Sequence, residues 1–228
     1  MTPTLPAALL LVICLVLGMS GCGERQEASA PTAPRPPTLP PPGSPITFGN
    51  LCAACHGLRG EGNRELRTPS IAGLPAWYVS EQFDKFRRNL RGSDPADPDG
   101  QRMHAIARLL DETQIATLAS TVAAMERQPT RNTLGGDAGR GRELFEERCM
   151  PCHRYNGSGE LAFKAAPLTG LQDWYQVAQL QKYRAGIRGG SASDEDGSKM
   201  HLITSDLSDS EFRDVVAHIA VLAERYRE

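Results

Sequence analysis

From residue 45 onward, apolar positions recur at helical spacing, and no stretch alternates for long with the two-residue period of a strand. The pattern predicts an all-α protein. It is also written twice. A shift of 97 residues lays Phe48 on Phe145, Gly60 on Gly157, Gly62 on Gly159 and Trp77-Tyr78 on Trp174-Tyr175. The same shift lays Lys85 on Lys182, Arg91-Gly92 on Arg188-Gly189 and Met103-His104 on Met200-His201. Each copy has three helical segments. The first covers 45–55 in one copy and 137–152 in the other, where Asp137 is placed to cap and Leu144, Phe145 and Arg148 keep helical spacing. The second carries Trp77, Val79, Phe83 and Phe86, or Trp174, Val177, Leu180 and Tyr183. The third opens on Asp111-Glu112-Thr113-Gln114 or Ser208-Asp209-Ser210-Glu211. Both are capping boxes, in which the cap and the third helical residue satisfy each other's backbone N–H. Apolar stripes follow: Ile115, Leu118, Ala119 and Val122, and Phe212, Val215, Val216 and Ile219. Pro129 is the expected stop for the first of these. The pattern thus predicts two domains, 45–128 and 137–228, on a linker at 129–136. So short a joint predicts that they pack together.

The first 44 residues differ. Within residues 5–17 lies a nine-residue apolar run from Leu9 to Leu17, too short to span a bilayer and of the length of a signal-peptide core. Residues 1–22 are therefore expected to be a signal peptide. It ends in Gly18-Met19-Ser20-Gly21-Cys22, which resembles a bacterial lipobox and makes Cys22 the candidate lipid attachment; cleavage without a lipid is the alternative. Residues 23–44 carry Pro31, Pro34, Pro36, Pro37, Pro40, Pro41 and Pro42 with almost no apolar side chains, so they are expected to be a disordered tether. In polyproline form, at about 3.1 Å per residue, the stretch reaches roughly 70 Å. A functional tether and an inert spacer both fit.

The chemistry lies in Cys52-Ala53-Ala54-Cys55-His56 and its repeat Cys149-Met150-Pro151-Cys152-His153. Cys-x-x-Cys-His is the attachment signature of c-type haem: two thiols add to the porphyrin vinyl groups, and the next residue ligates the iron. Redox dithiols and zinc half-sites share Cys-x-x-Cys, but two copies each followed by His favour haem. Covalent haem implies export from the bacterial cytoplasm. Domains under a hundred residues bury little apolar surface, and a haem in each supplies part of the missing core. The remaining cysteines, Cys14 and Cys22, lie near the N-terminus, so no disulfide framework is needed. A net charge of −2 gives no footprint for nucleic acid.

Met103 and Met200, each 51 residues after the first Cys of its motif, are the candidate sixth ligands, in what reads as a polar loop before the third helix. A thioether is soft and raises the potential. The adjacent His104 and His201 are the competing ligands; the next residue of an extended segment points away from the ring. Met150 lies between two haem-bound cysteines, and Met125, whose repeat partner is Leu222, reads as core. His218 has Thr121 as its partner and reads as solvated or packed. Pro69 and Pro167 are candidate carbonyl acceptors for the proximal histidines, or simple turn prolines. Lys85, Arg87, Arg88 and Arg91, with Lys182, Arg184 and Arg188, face propionates or partners, or form a solvated helix face.

These residues carry a family resemblance. The lead-in Gly-Asp-Ala-Gly-Arg-Gly-Arg-Glu-Leu-Phe-Glu-Glu-Arg-Cys, ending at Cys149, is similar to that of class I cytochromes c, and the tandem arrangement looks like the dihaem cytochromes of the c-four type, over about residues 45–226. The resemblance implies two class I domains, each wrapped around a covalent haem with His and Met on the iron, and related by an approximate two-fold. It implies single-electron transfer rather than enzymatic turnover, with a terminal oxidase, a quinol–cytochrome c reductase or a dehydrogenase as partner. A lipid-anchored place on the periplasmic side of a bacterial membrane follows if Cys22 is acylated, and a soluble periplasmic one if not. A peroxidase-like dihaem enzyme and a fixed haem subunit of a dehydrogenase or oxidase complex are the alternatives.

Overall fold

Thr47 opens the first copy by accepting the Asn50 N–H, while the Asn50 side chain accepts from the Thr47 N–H. This computed structural model describes residues 40–41 and 44–226, so the stretch expected to be a signal peptide, Cys14, Cys22 and most of the expected proline tether lie outside the described residues. From Thr47 a π-helical turn, Phe48–Cys52, runs into α1 (Ala53–His56). Then come α2 (Ala76–Arg87), α3 (Pro98–Ala107) and α4 (Glu112–Ala123). The second copy begins with α5 (Ala138–Leu144), a π-helical turn Phe145–Cys149 and α6 (Met150–His153). A short 3-10 turn, Leu161–Phe163, leads to α7 (Asp173–Arg184), α8 (Glu195–Thr204) and α9 (Asp209–Arg225). Among the described residues the only extended pairing is one isolated bridge per copy, Asn63 with Thr68 and Glu160 with Ala165.

The all-α class, the Asp137 cap and both capping boxes agree with the sequence pattern. Three features differ. The segments read as polar loops contain helices α3 and α8. Asp97 and Asp194 cap them by accepting the Gly100 and Gly197 N–H groups, and Pro98 pre-sets the first turn of α3. Their Asp, Gly and Ser content conceals them, because these residues favour caps and turns by the same hydrogen bonds. Second, α4 ends at Ala123, well before Pro129; the Gly73 N–H takes the Val122 carbonyl and closes the helix there. Third, the first copy has no counterpart of α5. In the second copy α5 crosses α9 at Gly141, where a Cβ would lie 1.8 Å from the Asp214 carbonyl oxygen. That close approach admits only glycine.

Two apolar clusters form the core. One gathers Phe48, Leu51, Leu74, Phe83, Leu118 and Val122 with Leu171 from the second copy. The other is built on Phe145, Phe212, Val216 and Ile219. The two copies belong to one compact unit. Residues 129–136 are strapped to the second copy, because the Thr130 N–H donates to Thr169 O at 2.8 Å and the Thr133 and Leu134 N–H groups donate to the Asp173 carboxylate.

One backbone position is strained. α1 ends on Gly57 at φ +80°, ψ 158°; the repeat places Arg154 at φ +66°, ψ 160°. That region is essentially confined to glycine and costs about 1–3 kcal/mol for other residues. Arg154→Gly is therefore expected to raise the unfolding free energy by about that amount, less the small contribution of the exposed Arg154–Glu160 ion pair. Urea denaturation reads it; an unchanged or lowered midpoint contradicts the strain.

Candidate functional site

Both motif histidines are 6 % exposed, and both rings are held at Nδ1. His56 Nδ1 lies 2.9 Å from Pro69 O, and His153 Nδ1 lies 2.8 Å from Ala166 O. Pro69 is the expected acceptor; Pro167 is not, because the strict 97-residue register puts Ala166 there. The acceptor is a backbone carbonyl, which any residue supplies. Its position is set by the loop: the Gly62 and Gly159 N–H groups donate to the His56 and His153 carbonyls, at 2.7 and 3.2 Å, and the isolated bridges fix the return. Burial lowers the pKa of both imidazoles, against the hydrogen bond that raises it. Each ring is then neutral with Nδ1–H donated. Among the described residues no hydrogen bond engages Nε2, whose lone pair is available to a metal.

The thiols argue against a redox dithiol. Burial pushes Cys52 up to about 11 and Cys149 up to about 12, whereas exchange chemistry needs a thiol stabilised as thiolate. They argue equally against zinc: among the described residues no group of three or more His, Cys, Asp or Glu is placed to hold a metal ion. The four cysteines are unpaired with one another, and Cys152 is exposed.

Met103 sits on α3 and Met200 on α8, both half-buried, so helices rather than loops carry the candidate sixth ligands. Met103 and Cys52 pack against the same apolar cluster. On a helix, successive side chains diverge by about 100°. Of the competing histidines, His104 has its Nε2 engaged, 2.8 Å from Asn89 Oδ1, whereas His201 is held at Nδ1, 2.6 Å from Tyr183 O, with no hydrogen bond to its Nε2 among the described residues. Met125 and Met150 pack on the two cores. His218 is buried, with its ring 5.4 Å from that of Phe145.

Of the basic residues read from sequence as a solvated face, propionate contacts or partner contacts, Lys85, Arg91, Lys182 and Arg188 build much of the interface between the copies, whereas Arg88 pairs with Asp84 of α2 and Arg184 with Asp209. Arg91 and Arg188 are buried there. Arg91 donates to Gln82 Oε1 (2.6 Å), Tyr175 Oη (2.7 Å) and Gln179 Oε1 (3.3 Å). Arg188 donates to Gln179 Oε1 (2.8 Å) and Gln82 Oε1 (2.9 Å). Each guanidinium also stacks 4.6 Å from a ring centre, Arg91 on Phe86 and Arg188 on Tyr183. Reciprocal ion pairs flank them: Lys85 to Asp194 at 2.7 Å and Lys182 to Asp97 at 2.5 Å. The Arg–Gln bonds, the ring stacking and the Lys–Asp pairs recur with the copies exchanged, which is an approximate two-fold. Sequence reading took up the Lys and Arg repeats. It missed Gln82/Gln179 and Asp97/Asp194, and used Tyr78/Tyr175 only as register marks, although all keep the same 97-residue offset.

Burial would raise the Asp97 carboxyl, but the Lys182 ammonium and the Gly100 N–H outweigh it and hold the pKa below the usual 3.8. A depressed folded pKa contributes stability that is present above about pH 4 and is lost as pH falls through the lowered value. The protein is therefore expected to weaken below about pH 4. Lys182→Met is expected to be less stable at pH 7 and to depend less on pH in that acid range. Urea midpoints across pH check both statements.

The site fits a haem. Two buried neutral imidazoles with a free Nε2 and four unpaired thiols form the donor set. Among the described residues no carboxylate lies within ion-pair distance of Arg91 or Arg188, two buried cations suited to an anionic group such as a propionate.

The comparisons agree. The family profile described as cytochrome c matches residues 43–123 and 138–223. A thiosulfate dehydrogenase electron acceptor of Stutzerimonas stutzeri (strain A1501) is 29 % identical over 184 residues, covering 76 % of this chain and 80 % of the relative. The cbb3-type cytochrome c oxidase subunit FixP of Bradyrhizobium sp. (strain ORS 278) is 31 % identical over 152 residues, covering 61 % of this chain and 50 % of FixP. Among solved structures, the thiosulfate dehydrogenase TsdBA of Marichromatium purpuratum superposes with TM-score 0.60 at 30 % identity, over 75 % of this chain; the chain spans only 36 % of that protein's length. Cytochrome c4 of Pseudomonas stutzeri gives TM-score 0.58 at 24 % identity over 74 % of this chain and 92 % of its own, a likeness of fold. This chain belongs to the cytochrome c family, as two tandem cytochrome c domains that bind two haem c groups in a fold like that of cytochrome c4.

Proposed function

We propose that this protein is a tethered periplasmic shuttle that takes single electrons from a dehydrogenase or a quinol–cytochrome c reductase and delivers them to a terminal oxidase. Domains 45–128 and 137–228, joined by 129–136, hold one haem each. Cys52 and Cys55 would attach the first, and His56 and Met103 would ligate its iron. Cys149 and Cys152 would attach the second, and His153 and Met200 would ligate its iron. When bound, the haem supplies reversible one-electron ferric–ferrous chemistry. The chain's own residues do the rest. Each Nδ1–H donated to Pro69 or Ala166 fixes Nε2 as the ligand nitrogen and raises its basicity. The Met103 and Met200 thioethers favour the reduced state. The buried positive charge of Arg91 and Arg188 would favour a haem's gaining an electron. Cys22 carries a lipid, and residues 23–44 set the reach.

One observation carries this reading: the two sites are alike residue for residue. Each has a buried His held by a backbone carbonyl and a Met on a helix capped by Asp. A carrier needs both irons saturated, whereas an enzyme needs one position left open. The donor and acceptor roles are supported by a relative named as an electron acceptor of thiosulfate dehydrogenase and another named as an oxidase subunit. The second name also favours the alternative of a fixed subunit.

Affinity purification of the full chain from its own membranes tests the reading. A shuttle is recovered alone and exchanges electrons with added thiosulfate dehydrogenase, and Cys22→Ser moves it to the soluble fraction. Recovery at fixed stoichiometry with an oxidase or dehydrogenase gives the subunit reading. Turnover of hydrogen peroxide by the purified chain contradicts both.

A further inference from the structure

The approximate two-fold generates two clefts between the copies, built on the same framework but opposite in charge. The first, of about 320 Å³, lies between the first copy's haem-motif loop and α7, lined by Arg64, Arg67, Asp99, Trp174 and Lys182 among others. The second, of about 350 Å³, lies between α2 and the second copy's loop and α8, and carries Glu81, Asp84, Asp194, Glu195 and Asp196. Its cations, Lys85, Arg88 and Lys164, are all drawn onto those carboxylates or their neighbours: Lys85 to Asp194 and Glu81, Arg88 to Asp84, Lys164 to Glu81 and Asp196. Three cations face one carboxylate in the first cleft, where Arg67 pairs with Asp99 at 2.8 Å and Lys182 with Asp97, outside the lining, at 2.5 Å, while Arg64 is in no ion pair among the described residues; three face five in the second. The inversion comes from the repeat itself. Arg64 stands where the second copy has Leu161, and Ala178 and Gln181 stand where the first copy has Glu81 and Asp84.

Each cleft borders one haem motif. Thr68, next to Arg67, donates its hydroxyl to the Cys55 carbonyl at 2.5 Å, and Asp99 lies one turn before Met103. Asp196 lies one turn before Met200. We propose that an acidic redox protein docks in the Arg64–Arg67–Lys182 cleft beside the first haem and is repelled from the acidic cleft beside the second, so that the two haems serve partners of different charge. The occupant follows from complementarity: an acidic surface gains on one side and meets like charge on the other, and such fields steer encounter and select the docking face. The proposal rests on the carrier reading, but the charge inversion is measurable without it.

The two tryptophans of the chain report on it directly. Trp174 lines the cationic cleft, and Trp77 lies one turn before Glu81 of the acidic one. In the holoprotein, NMR titration with hexacyanochromate(III), an inert paramagnetic anion, is expected to broaden the Trp174 indole N–H and spare Trp77. Hexaamminechromium(III), a cation, is expected to do the reverse. The double variant Arg64→Glu/Arg67→Glu should lose the anion effect with its haem spectrum unchanged. An acidic flavodoxin serves as the protein probe: its affinity should fall with salt, and by on the order of tenfold in that variant. Equal broadening of both indoles, retention of the anion effect in the variant, or flavodoxin binding that ignores salt and both substitutions overturns the proposal. Broadening by the small anion without flavodoxin binding also overturns it, leaving a site for small anions. A holoprotein whose irons prove open to peroxide sinks the carrier reading and leaves the indole result standing.

Discussion

Replacing Met103 or Met200 by Ala is expected to lower the midpoint potential of one haem and leave the other nearly unchanged. Axial ligands span roughly 0.8 V of haem potential, and loss of a sulfur ligand should move the affected centre down by on the order of 0.1 V or more. The site also opens: the reduced variant should bind carbon monoxide at one haem per chain, and the oxidised one should lose half of the weak far-red band expected of sulfur-ligated ferric haem. The geometry makes this a local change. Met103 and Met200 are half-buried on separate helices, α3 and α8, each held by its own Asp cap. The neighbouring His104 is a poor substitute, since its Nε2 is engaged with Asn89, while His201 is tied to the Tyr183 carbonyl through Nδ1. Variants that keep both midpoints and bind no carbon monoxide contradict the sulfur assignment.

The second large effect is structural. Cys149→Ser with Cys152→Ser is expected to give a one-haem protein in which much of the second copy's helix content is lost. The second apolar cluster is small, and α7 contributes little to it, because its inner face presents Asp173, Gln176 and Gln179 beside Val177. Without the haem, too little apolar surface is buried to offset the chain entropy of ordering that domain. The pyridine haemochrome should fall by half and the far-UV helical signal should drop with it. The first copy packs on Leu171 and shares the Arg91–Gln179 and Lys85–Asp194 contacts, so it should be destabilised as well. A fully folded apo second copy contradicts this view of what holds it together.

What the sequence made legible follows from how local the signals are. Haem motifs, capping boxes and the repeat are contiguous or fixed-offset patterns, and they gave the all-α class, the helix starts at Asp111, Asp137 and Ser208, and the motif residues. Helices α3 and α8 were hidden because their Asp, Gly, Pro and Ser residues, read locally, signal turns; here the Asp97 and Asp194 carboxylates turn that preference into helix caps. Pro167 was the wrong acceptor because residue type was weighed above register, and a backbone carbonyl carries no side-chain signature. The interface was missed for a different reason. Arg91, Gln82 and Tyr175 look like surface residues one at a time, and only the two-fold brings them together with Arg188, Gln179 and Tyr78. Their equal offsets were present in the chain throughout.

A coulometric redox titration of the purified, full-length protein, followed through its haem absorbance and repeated under carbon monoxide, reaches the centre of the account. Uptake of two electrons per chain in two one-electron steps, with neither reduced haem binding the gas, is the expected result. A colourless protein, a single electron per chain, or wild-type haem that binds carbon monoxide would contradict it.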